Sequence, residues 1–540
     1  MSFKNTLILF LFTFFQAKAQ LSTTNLPIFI IDTEGKAIVD EPKTNVKLKV
    51  VYNGEGKVNS LTDKVFHYDS YAGFEFRGSS SQSFPKKPYG FELRNEKGEN
   101  NPIALCGLPK ESDWILFASY NEKSLMHNVL SMSISRQFGM YASRTRYVEV
   151  VINGSYQGVY VLMEKIKVDN DRVDIANLKE TDLSGDELTG GYIIKIDKST
   201  GNNLGSFVSN YSNKYGKKAE YFYHLPKTIN STQKSYIMGV VRKFEEAVYG
   251  PNYKDPEQGY QKYIDMSSFV KMFIVNEVSR NIDGYRISSY FYKDKDSKNP
   301  KLVAGPPWDY DISYGNADYC LGNRYDLWAY GFNDICSGDF WQVPGFWDRM
   351  MNDPYFIAEL RTQYFEARKS GGILHEDHLM AEIDGFAKEL NEAQARNFQK
   401  WNILGQYVWP NPQPVQTTWL GEVNELKTWL RNRLRWLDQN MPKEFVTLST
   451  EPSVESISFK VTPNPFLEKL HILIDSDENQ EVRVNLTTAD GRHIKERKVM
   501  LAKGKNEIEF EHISEVGNVF LVEVLSNSGI RKIQKAVKVN

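Results

Sequence analysis

Residues 276–318 have the sequence NEVSRNIDGYRISSYFYKDKDSKNPKLVAGPPWDYDISYGNAD, and this stretch decides the predicted fold. It contains seven carboxylates, of which Asp309 and Asp311 stand among aromatic residues. The Gly-Pro-Pro sequence before Trp308 prevents a helix from running into this segment. We therefore predict that WDYDI, residues 308–312, forms a short strand, on which residues two apart share one face.

Two carboxylates on one face among aromatic rings are costly unless a cation or a proton neutralises them. Magnesium is a hard cation that prefers oxygen ligands, so Asp309 and Asp311 are predicted to bind it. An Asp-x-Asp pair also occurs as a turn cap or a surface ion pair, and that alternative stays open at this point.

A third carboxylate, Asp283, lies in NIDGY, after a helical pattern and before a predicted strand at residues 287–292. Protein kinases place one aspartate on a loop for the acceptor hydroxyl and a second, farther along the chain, for magnesium on the phosphates. The number of residues between Asp283 and the Asp309/Asp311 pair is comparable to the separation of the two aspartates in kinases. The spacing favours the same division of roles here.

A loop of small residues, RGSSSQS at residues 77–83, lies between two predicted strands. Small residues let backbone N–H groups approach a phosphate, and nearby basic side chains can pair with it. A plain hairpin connection with lysines on a strand edge is the alternative. A carboxylate that ends a buried strand, Glu164, is either an edge charge or the partner of a phosphate-binding lysine. The predicted nucleotide-binding residues are Arg77, Gly78, Ser79, Ser80, Lys86, Lys87 and Glu164.

Several blocks in sequence order resemble one known family. They are FEFRGSSSQSFPKKPYGFEL, DWILFASYNEKSLMHNVL, VEVVINGSYQGVYVLMEKIKVDNDRVDI, NEVSRNIDGYRISSYFYKDKDS and GPPWDYDISYGNADY. Together they resemble the CotH-type kinases related to the spore-coat protein H of bacilli, in the version common among Bacteroidetes. The resemblance covers about residues 26–441, and we assign the domain to residues 20–441.

This resemblance implies an α+β fold, a two-lobed atypical protein-kinase-like domain that uses ATP and Mg2+, with Mn2+ as an alternative ion. By resemblance, Asp283 orients or deprotonates the acceptor, Asp309 holds the metal and Asp311 assists. Kinases place an asparagine, a second metal ligand, five residues beyond the catalytic aspartate. Ser288 occupies that position here, so we include it among the predicted metal ligands.

The composition agrees with an exported globular protein. With 66 basic and 68 acidic residues, the chain lacks the positive charge that a nucleic-acid binder needs. Residues 1–19 combine Lys4, an apolar run at residues 7–15 and an Ala-Lys-Ala site, which is typical of a secretory signal peptide. Later apolar runs are too short for a membrane span, so no transmembrane segment is predicted.

Three cysteines occur in the chain. Cys320 and Cys336 flank a loop rich in Gly, Asn and Asp, and could form a disulfide beside the acidic site. Cys106 would then be left over in an apolar context. Free, buried thiols at all three positions are the alternative.

The periodicity divides the central domain into two parts. Strand patterns dominate up to about residue 230, and helical patterns follow at residues 231–280, 378–401 and 421–441. We therefore expect a β-rich half with the nucleotide loop and a helical half with the aspartates, separated by a cleft. Residues 320–345 have no clear period and suit a loop over that cleft.

A linker is predicted at residues 442–457, followed by a small all-β sandwich at residues 458–540. Its motifs VTPNPF, ADGR and IQKAVKV resemble the type A sorting domain of the type IX secretion system. That resemblance implies contact with the secretion machinery and passage through the periplasm to the cell surface or medium. A carbohydrate-binding sandwich is the alternative.

The leading hypothesis is an exported kinase that transfers the γ-phosphate of ATP to serine or threonine hydroxyls of secreted or surface proteins. One alternative is a binding or scaffold protein on a kinase-like fold, since a fold alone does not give activity. Another is a glycoside-processing enzyme with paired carboxylates. Asp309 and Asp311, two residues apart, are too close in sequence to straddle a sugar on their own.

Overall fold

The computed structural model describes residues 21–443, 457–488, 492–513, 519–526 and 531–539. The chain forms two compact units, Met1–Glu444 and Phe445–Asn540, and each is described by itself. The predicted signal peptide, most of the predicted linker and most of the ADGR motif at residues 489–492 lie outside the described residues.

The strands of the first unit form a closed barrel, a five-stranded sheet and two ladders of two-residue strands. They are β1 (Thr23–Thr24), β2 (Ile28–Asp32), β3 (Thr44–Val51), β4 (Asn59–Ser60), β5 (Tyr68–Phe76), β6 (Tyr89–Arg94), β7 (Ile103–Ala104), β8 (Lys110–Glu111), β9 (Asp113–Phe117), β10 (Thr145–Ile152), β11 (Ser155–Glu164), β12 (Tyr192–Ile196), β13 (Ser206–Ser212), β14 (Lys218–Leu225), β15 (Ser289–Lys293) and β16 (Val303–Ala304).

The helices of the first unit lie mainly after residue 230. They are α1 (His127–Gln137), α2 (Gly185–Leu188), α3 (Ser231–Tyr249), α4 (Met266–Ser279), α5 (Phe332–Ile335), α6 (Phe346–Met350), α7 (Pro354–Arg368), α8 (Glu376–Leu390), α9 (Ala393–Lys400) and α10 (Trp419–Asn440), with short 3-10 turns at Ser80–Ser83, Leu105–Gly107 and Tyr260–Lys262.

Seven of the early strands close into a barrel in the order β10-β11-β9-β6-β5-β3-β2. The sequence of β3, TNVKLKVV, shows why: Val46, Leu48 and Val50 are buried while the lysines between them point outward. β10 and β11 form an antiparallel hairpin around Asn153 and Gly154, a dipeptide typical of tight hairpin turns. The β-rich character of the first part of the domain is confirmed.

A second sheet, in the order β13-β14-β12-β15-β16, joins three strands from before residue 230 with β15, which overlaps the strand predicted at residues 287–292, and with β16. α4 is buried over nearly its whole surface, because its sequence MSSFVKMFIVNEVS is apolar on all sides. Asp265 caps its N-terminus by accepting the Ser268 N–H at 2.8 Å. The helix ends at Arg280 in the left-handed conformation, which turns the chain toward β15.

The predicted strand at residues 308–312 is wrong. Asp309 has a φ of 66°, which no strand contains, and the segment pairs with no strand of the described residues. The backbone N–H of Tyr310 donates to the side chain of Asn128 instead of to a neighbouring strand. Side-chain amides therefore replace a sheet ladder in this segment.

The second unit is all-β where it is described, as predicted. Its strands are β17 (Ile457–Thr462), β18 (Leu470–Ser476), β19 (Gln480–Thr488), β20 (His493–Leu501), β21 (Gly504–Phe510), β22 (Val519–Ser526) and β23 (Arg531–Val537). They form two sheets, β17-β18-β21 and β20-β19-β22-β23, around a core that includes Leu470, Val484 and Phe520.

Among the helices of the described residues, none combines the length and the apolar character that crossing a bilayer requires.

Candidate functional site

Asp309 and Asp311 lie on a loop that the amide side chains of four asparagines hold in place. Asn128 Oδ1 accepts the Tyr310 N–H at 2.9 Å, Asn281 Nδ2 donates to the Asp309 carbonyl at 3.1 Å, Asn316 Nδ2 donates to the Asp311 carbonyl at 2.9 Å, and Asn121 Nδ2 donates to Asp311 Oδ2 at 3.0 Å. These bonds offset the cost of the positive φ at Asp309. The aspartate pair is therefore preorganised before any ligand binds.

The site is strongly acidic, and its aspartates are partly buried. Burial raises the pKa of Asp309 well above its usual value, and the carboxylates of Asp311, Asp283 and Asp197 raise it further. Burial also raises the pKa of Asp311, which the hydrogen bond from Asn121 opposes. Burial and the neighbouring negative charges both disfavour the charged carboxylates, so a bound cation would stabilise them.

The residues at this loop fit magnesium. Within the described ranges, no group of three or more His, Cys, Asp or Glu side chains converges as a metal cage. Magnesium is commonly held by one or two carboxylates together with water and substrate phosphates, which matches the Asp309/Asp311 pair. The predicted third ligand, Ser288, has its hydroxyl 3.5 Å from Asp309 Oδ2, so the structure brings it to the same place.

Asp283 lies on the turn between α4 and β15 and is close enough to affect the pKa of both other aspartates. Its Oδ1 accepts a hydrogen bond from Arg286 at 2.6 Å, and its side chain is 17% exposed. Arg286 is almost fully buried, and it also donates to the carbonyls of Ile282 and Trp341. Asp283 is thus an accessible carboxylate on a rigid support.

Arg77 is the predicted nucleotide-binding residue that the structure brings next to the aspartates. Its guanidinium lies 5.5 Å from the centre of the Trp308 ring. Burial lowers the pKa of Arg77, and Tyr290, Asp309 and Glu75 oppose that change. A cation beside the aspartate pair suits an anionic ligand that bridges a metal and a guanidinium.

Sequence reasoning missed a group of basic side chains near Arg77. Burial lowers the pKa of Lys165, and Arg77 is among the charges that lower it further. Burial, followed by Lys165 and Lys195, lowers the pKa of Lys227. Lys195 donates to Asp197 at 2.5 Å. We call Arg77, Lys165, Lys195 and Lys227 the basic cluster.

Two features of the sequence indicated this cluster. Lys165 directly follows Glu164, which was considered for the partner of a phosphate-binding lysine. Lys195 lies in β12 and Asp197 directly follows that strand, and residues two apart on an extended segment share one face. Neither feature was specific enough to select these lysines before the sheets were known.

Among the described residues, Glu164 forms no ion pair with a lysine of the basic cluster. Its fully buried carboxylate accepts hydrogen bonds from the Arg144 guanidinium at 2.8 Å, the Arg144 backbone at 3.0 Å and the Tyr141 hydroxyl at 3.3 Å. Arg172 lies 3.8 Å away. Glu164 therefore closes a structural arginine network at the end of β11.

Lys86 and Lys87 have partners of their own. The buried ammonium of Lys86 donates to the carbonyl of Val159 and, at 3.0 Å, to Asn397 Oδ1, and burial lowers its pKa to about 7. Lys87 donates to the Gln82 carbonyl at 2.6 Å. Because an ammonium has three N–H donors, Lys87 keeps donors for a ligand, whereas burial separates the Lys86 ammonium from solvent.

The small-residue loop is compact. Gly78 has a φ of 96°, and a Cβ there would lie 2.0 Å from the Ser81 hydroxyl, so only glycine fits. Ser79 and Ser80 are exposed and lead into the Ser80–Ser83 turn. Arg77, which lies next to the aspartates, begins this loop, and Ser79 and Ser80 follow it by two and three residues.

Cys320 and Cys336 form a disulfide, the first of the two possibilities left open by the sequence, and Cys106 is free and buried. The bridge closes the loop that continues to Asp339 and Trp341. Arg286 contacts both of these residues, so the loop is connected to Asp283.

The sequence model of one protein family, described as "CotH kinase protein", matches residues 74–437. That match covers more than half of the chain, so the protein belongs to the CotH kinase family, as predicted, and is kinase-like. Among curated proteins, the inner spore coat protein H of Bacillus subtilis (strain 168) is 22% identical to it over 247 residues. The match covers 44% of this chain and 58% of that relative, hence little more than half of its length.

Proposed function

We propose that this protein is an exported, atypical protein kinase that transfers the γ-phosphate of ATP to serine or threonine hydroxyls of secreted or surface proteins. The observation that carries the proposal is the juxtaposition of the Asp309/Asp311 pair with the basic cluster. A magnesium nucleotide presents a cation and a polyphosphate side by side, and this arrangement is complementary to both.

Each group of residues has a distinct role. Asp309 and Asp311 would hold Mg2+, with Mn2+ as an alternative, and Ser288 stands within reach of the same ion. When bound, the ion supplies positive charge that neutralises the phosphates. Arg77 and the lysines of the basic cluster would bind phosphate oxygens, Arg77 in bidentate fashion. The partly exposed Asp283 would accept a hydrogen bond from the acceptor hydroxyl and orient it toward the phosphate.

Catalysis would then consist of positioning and electrostatic stabilisation. The asparagines that hold the aspartate loop and the arginine that holds Asp283 fix these groups in advance, so the reaction would require no reorganisation of them. The kinase-like division into two lobes, with the nucleotide between them, belongs to this proposal.

Export is the second part of the proposal. The signal-peptide pattern of residues 1–19 and the likeness of the C-terminal motifs to a type A sorting domain support passage through the periplasm by the type IX secretion machinery. A secreted or surface location in a bacterium of the Bacteroidetes follows from the same patterns.

Isothermal calorimetry with ATP tests the nucleotide site. Wild-type protein should bind ATP with Mg2+ present and lose that binding in EDTA, because the phosphates would otherwise face uncompensated aspartates. Asp309→Asn should abolish Mg2+-dependent binding, since it removes one of two anchors for the cation.

Asp318→Asn is the matched control. It removes a carboxylate from the same segment, but Asp318 is exposed and its Oδ2 only accepts the Tyr407 hydroxyl at 2.7 Å. This variant should bind as the wild type does. Equal ATP affinity in EDTA and in Mg2+ would refute the metal-dependent site. Binding without any phosphoryl transfer would leave a nucleotide-binding scaffold.

A further inference from the structure

An exposed aromatic pair lies at the edge of the candidate site. Phe340 is 72% exposed and Trp341 36%, although side chains of this kind are costly to leave in water as a cluster. Their ring centres are 5.2 Å apart in an edge-to-face arrangement. The pair is therefore an ordered surface feature that needs an explanation.

Two lysines lie on these rings. The Lys198 ammonium is 5.4 Å from the centre of the Trp341 ring, and the Lys217 ammonium is 5.8 Å from that of Phe340. Among the residues that the structure describes, neither ammonium has a carboxylate within ion-pairing distance. We call Phe340, Trp341, Lys198 and Lys217 the platform.

The acidic groups around the platform already have partners. Asp339 accepts from the Trp341 N–H at 2.8 Å and from Arg286 at 3.4 Å. Asp334 lies 2.5 Å from the Lys214 ammonium and accepts the Tyr215 hydroxyl at 2.6 Å. The net charge that the platform presents to a ligand is positive.

The platform is directly connected to the candidate catalytic carboxylate. The Trp341 carbonyl accepts a hydrogen bond from Arg286 at 3.1 Å, and Arg286 holds Asp283 at 2.6 Å. On the other side, Lys198 follows Asp197, whose charge acts on Asp309. A polypeptide docked on the platform would therefore lie near Asp283.

The platform is also rigid. Asn213, at the turn between β13 and β14, donates to Gln342 Oε1 at 2.9 Å and to the Val343 carbonyl at 3.2 Å. This contact joins the turn that carries Lys217 to the loop that carries Phe340. Rigid aromatic side chains bind a partner at low entropic cost.

We propose that the platform docks the acceptor polypeptide through an acidic segment that carries an aromatic or apolar residue. The partner's carboxylates pair with Lys198 and Lys217, and its apolar residue packs on Phe340 and Trp341. The inference rests on the proposed function in one respect, namely that the docked polypeptide is the acceptor. It adds that acceptors are chosen by acidic residues near the target serine or threonine.

Fluorescence anisotropy with the full chain tests this surface. The probes are two labelled peptides of equal length, each with a central Ser and one Phe, flanked by Asp and Glu in one and by Lys and Arg in the other. The acidic peptide should bind at least tenfold more tightly, and added salt should weaken its binding. Lys198→Glu combined with Lys217→Glu, and separately Phe340→Ala, should each weaken it about tenfold.

Two matched controls should leave the acidic peptide's affinity unchanged. Lys218→Glu reverses the charge of the next residue in the same hairpin, whose side chain points to the other face of the strand. Tyr355→Ala removes a 54% exposed aromatic ring from α7. All substituted side chains except that of Lys198 are exposed, so the substitutions should leave the fold intact. An unfolding temperature equal to that of the wild type will verify this for each variant.

Calorimetry with MgATP on the same samples separates this inference from the proposed function. Equal binding of both peptides, or binding that survives Phe340→Ala and the double lysine substitution, overturns the docking surface even where MgATP binds normally. The docking surface is also overturned if a neutral glucan oligosaccharide displaces the acidic peptide and the lysine substitutions leave the peptide's affinity unchanged. Selective acidic-peptide binding without MgATP binding keeps the docking surface and refutes the kinase proposal.

Discussion

At the scale of single residues, Asp283 combines accessibility with a fixed orientation. Its carboxylate is held by a buried arginine at 2.6 Å, while part of it faces solvent. Asp283→Ala should reduce phosphoryl transfer about 10²- to 10⁴-fold, because the acceptor hydroxyl loses its hydrogen-bond acceptor. MgATP affinity should change by no more than a few fold, since the residue does not contact the phosphates in our proposal.

Transfer of labelled phosphate to the acidic peptide and calorimetry on the same sample measure the two quantities. Asp326→Ala serves as control, because Asp326 is paired with the exposed Arg324. Comparable transfer by Asp283→Ala and wild type would mean that another group orients the acceptor. A large loss of MgATP affinity would instead assign Asp283 to the nucleotide site.

At the scale of elements, a buried ion pair joins α4 and α10. Arg433 on α10 is fully buried and lies 2.9 Å from Glu277 on α4, which also accepts the backbone N–H groups of Ala329 and Tyr330. α4 leads directly into the turn that carries Asp283. The Arg433–Glu277 ion pair therefore stabilises the helix that positions Asp283.

Arg433→Ala should lower the free energy of unfolding by about 3–5 kcal/mol, because it leaves the Glu277 charge buried without its cation. Arg431→Ala, on the same helix, should cost less than about 1 kcal/mol, since its partner Glu376 is partly exposed. Urea unfolding followed by tryptophan fluorescence compares the two. Equal effects of both substitutions would contradict a structural role for the buried pair.

At the scale of the whole molecule, the chain divides into two compact units at residue 444. Each has its own hydrophobic core, so removal of residues 445–540 should leave the unfolding temperature of the first unit unchanged. MgATP binding should persist as well, whereas export should fail if the second unit is a sorting domain. Calorimetric scanning and secretion assays measure these outcomes. A strongly lowered unfolding temperature would show that the first unit depends on the second.

The sequence by itself determined the elements whose formation is local. Alternation in β3, the Asn-Gly turn between β10 and β11, and the apolar spacing of α10 each determine backbone structure through burial and hydrogen bonds within a few residues. The family and the all-β character of the second unit were also predicted correctly. The assignment of Asp283, Asp309, Asp311 and Ser288 to a common site stays a prediction of function, although the structure brings them together.

Only the tertiary structure decided which distant side chains meet. Asn128 and Tyr310 are 182 residues apart in sequence, and their hydrogen bond takes the place of the strand pairing that the local pattern predicted. Lys165, Lys195 and Arg77 are also distant in sequence, and only the fold brings them together. Glu164 pairs with arginines, which the local sequence did not indicate. Local periodicity determines which face of an element is buried, but the partner of a buried charge depends on chain topology. A charge enclosed in a low dielectric is stabilised by the nearest opposite charge in space.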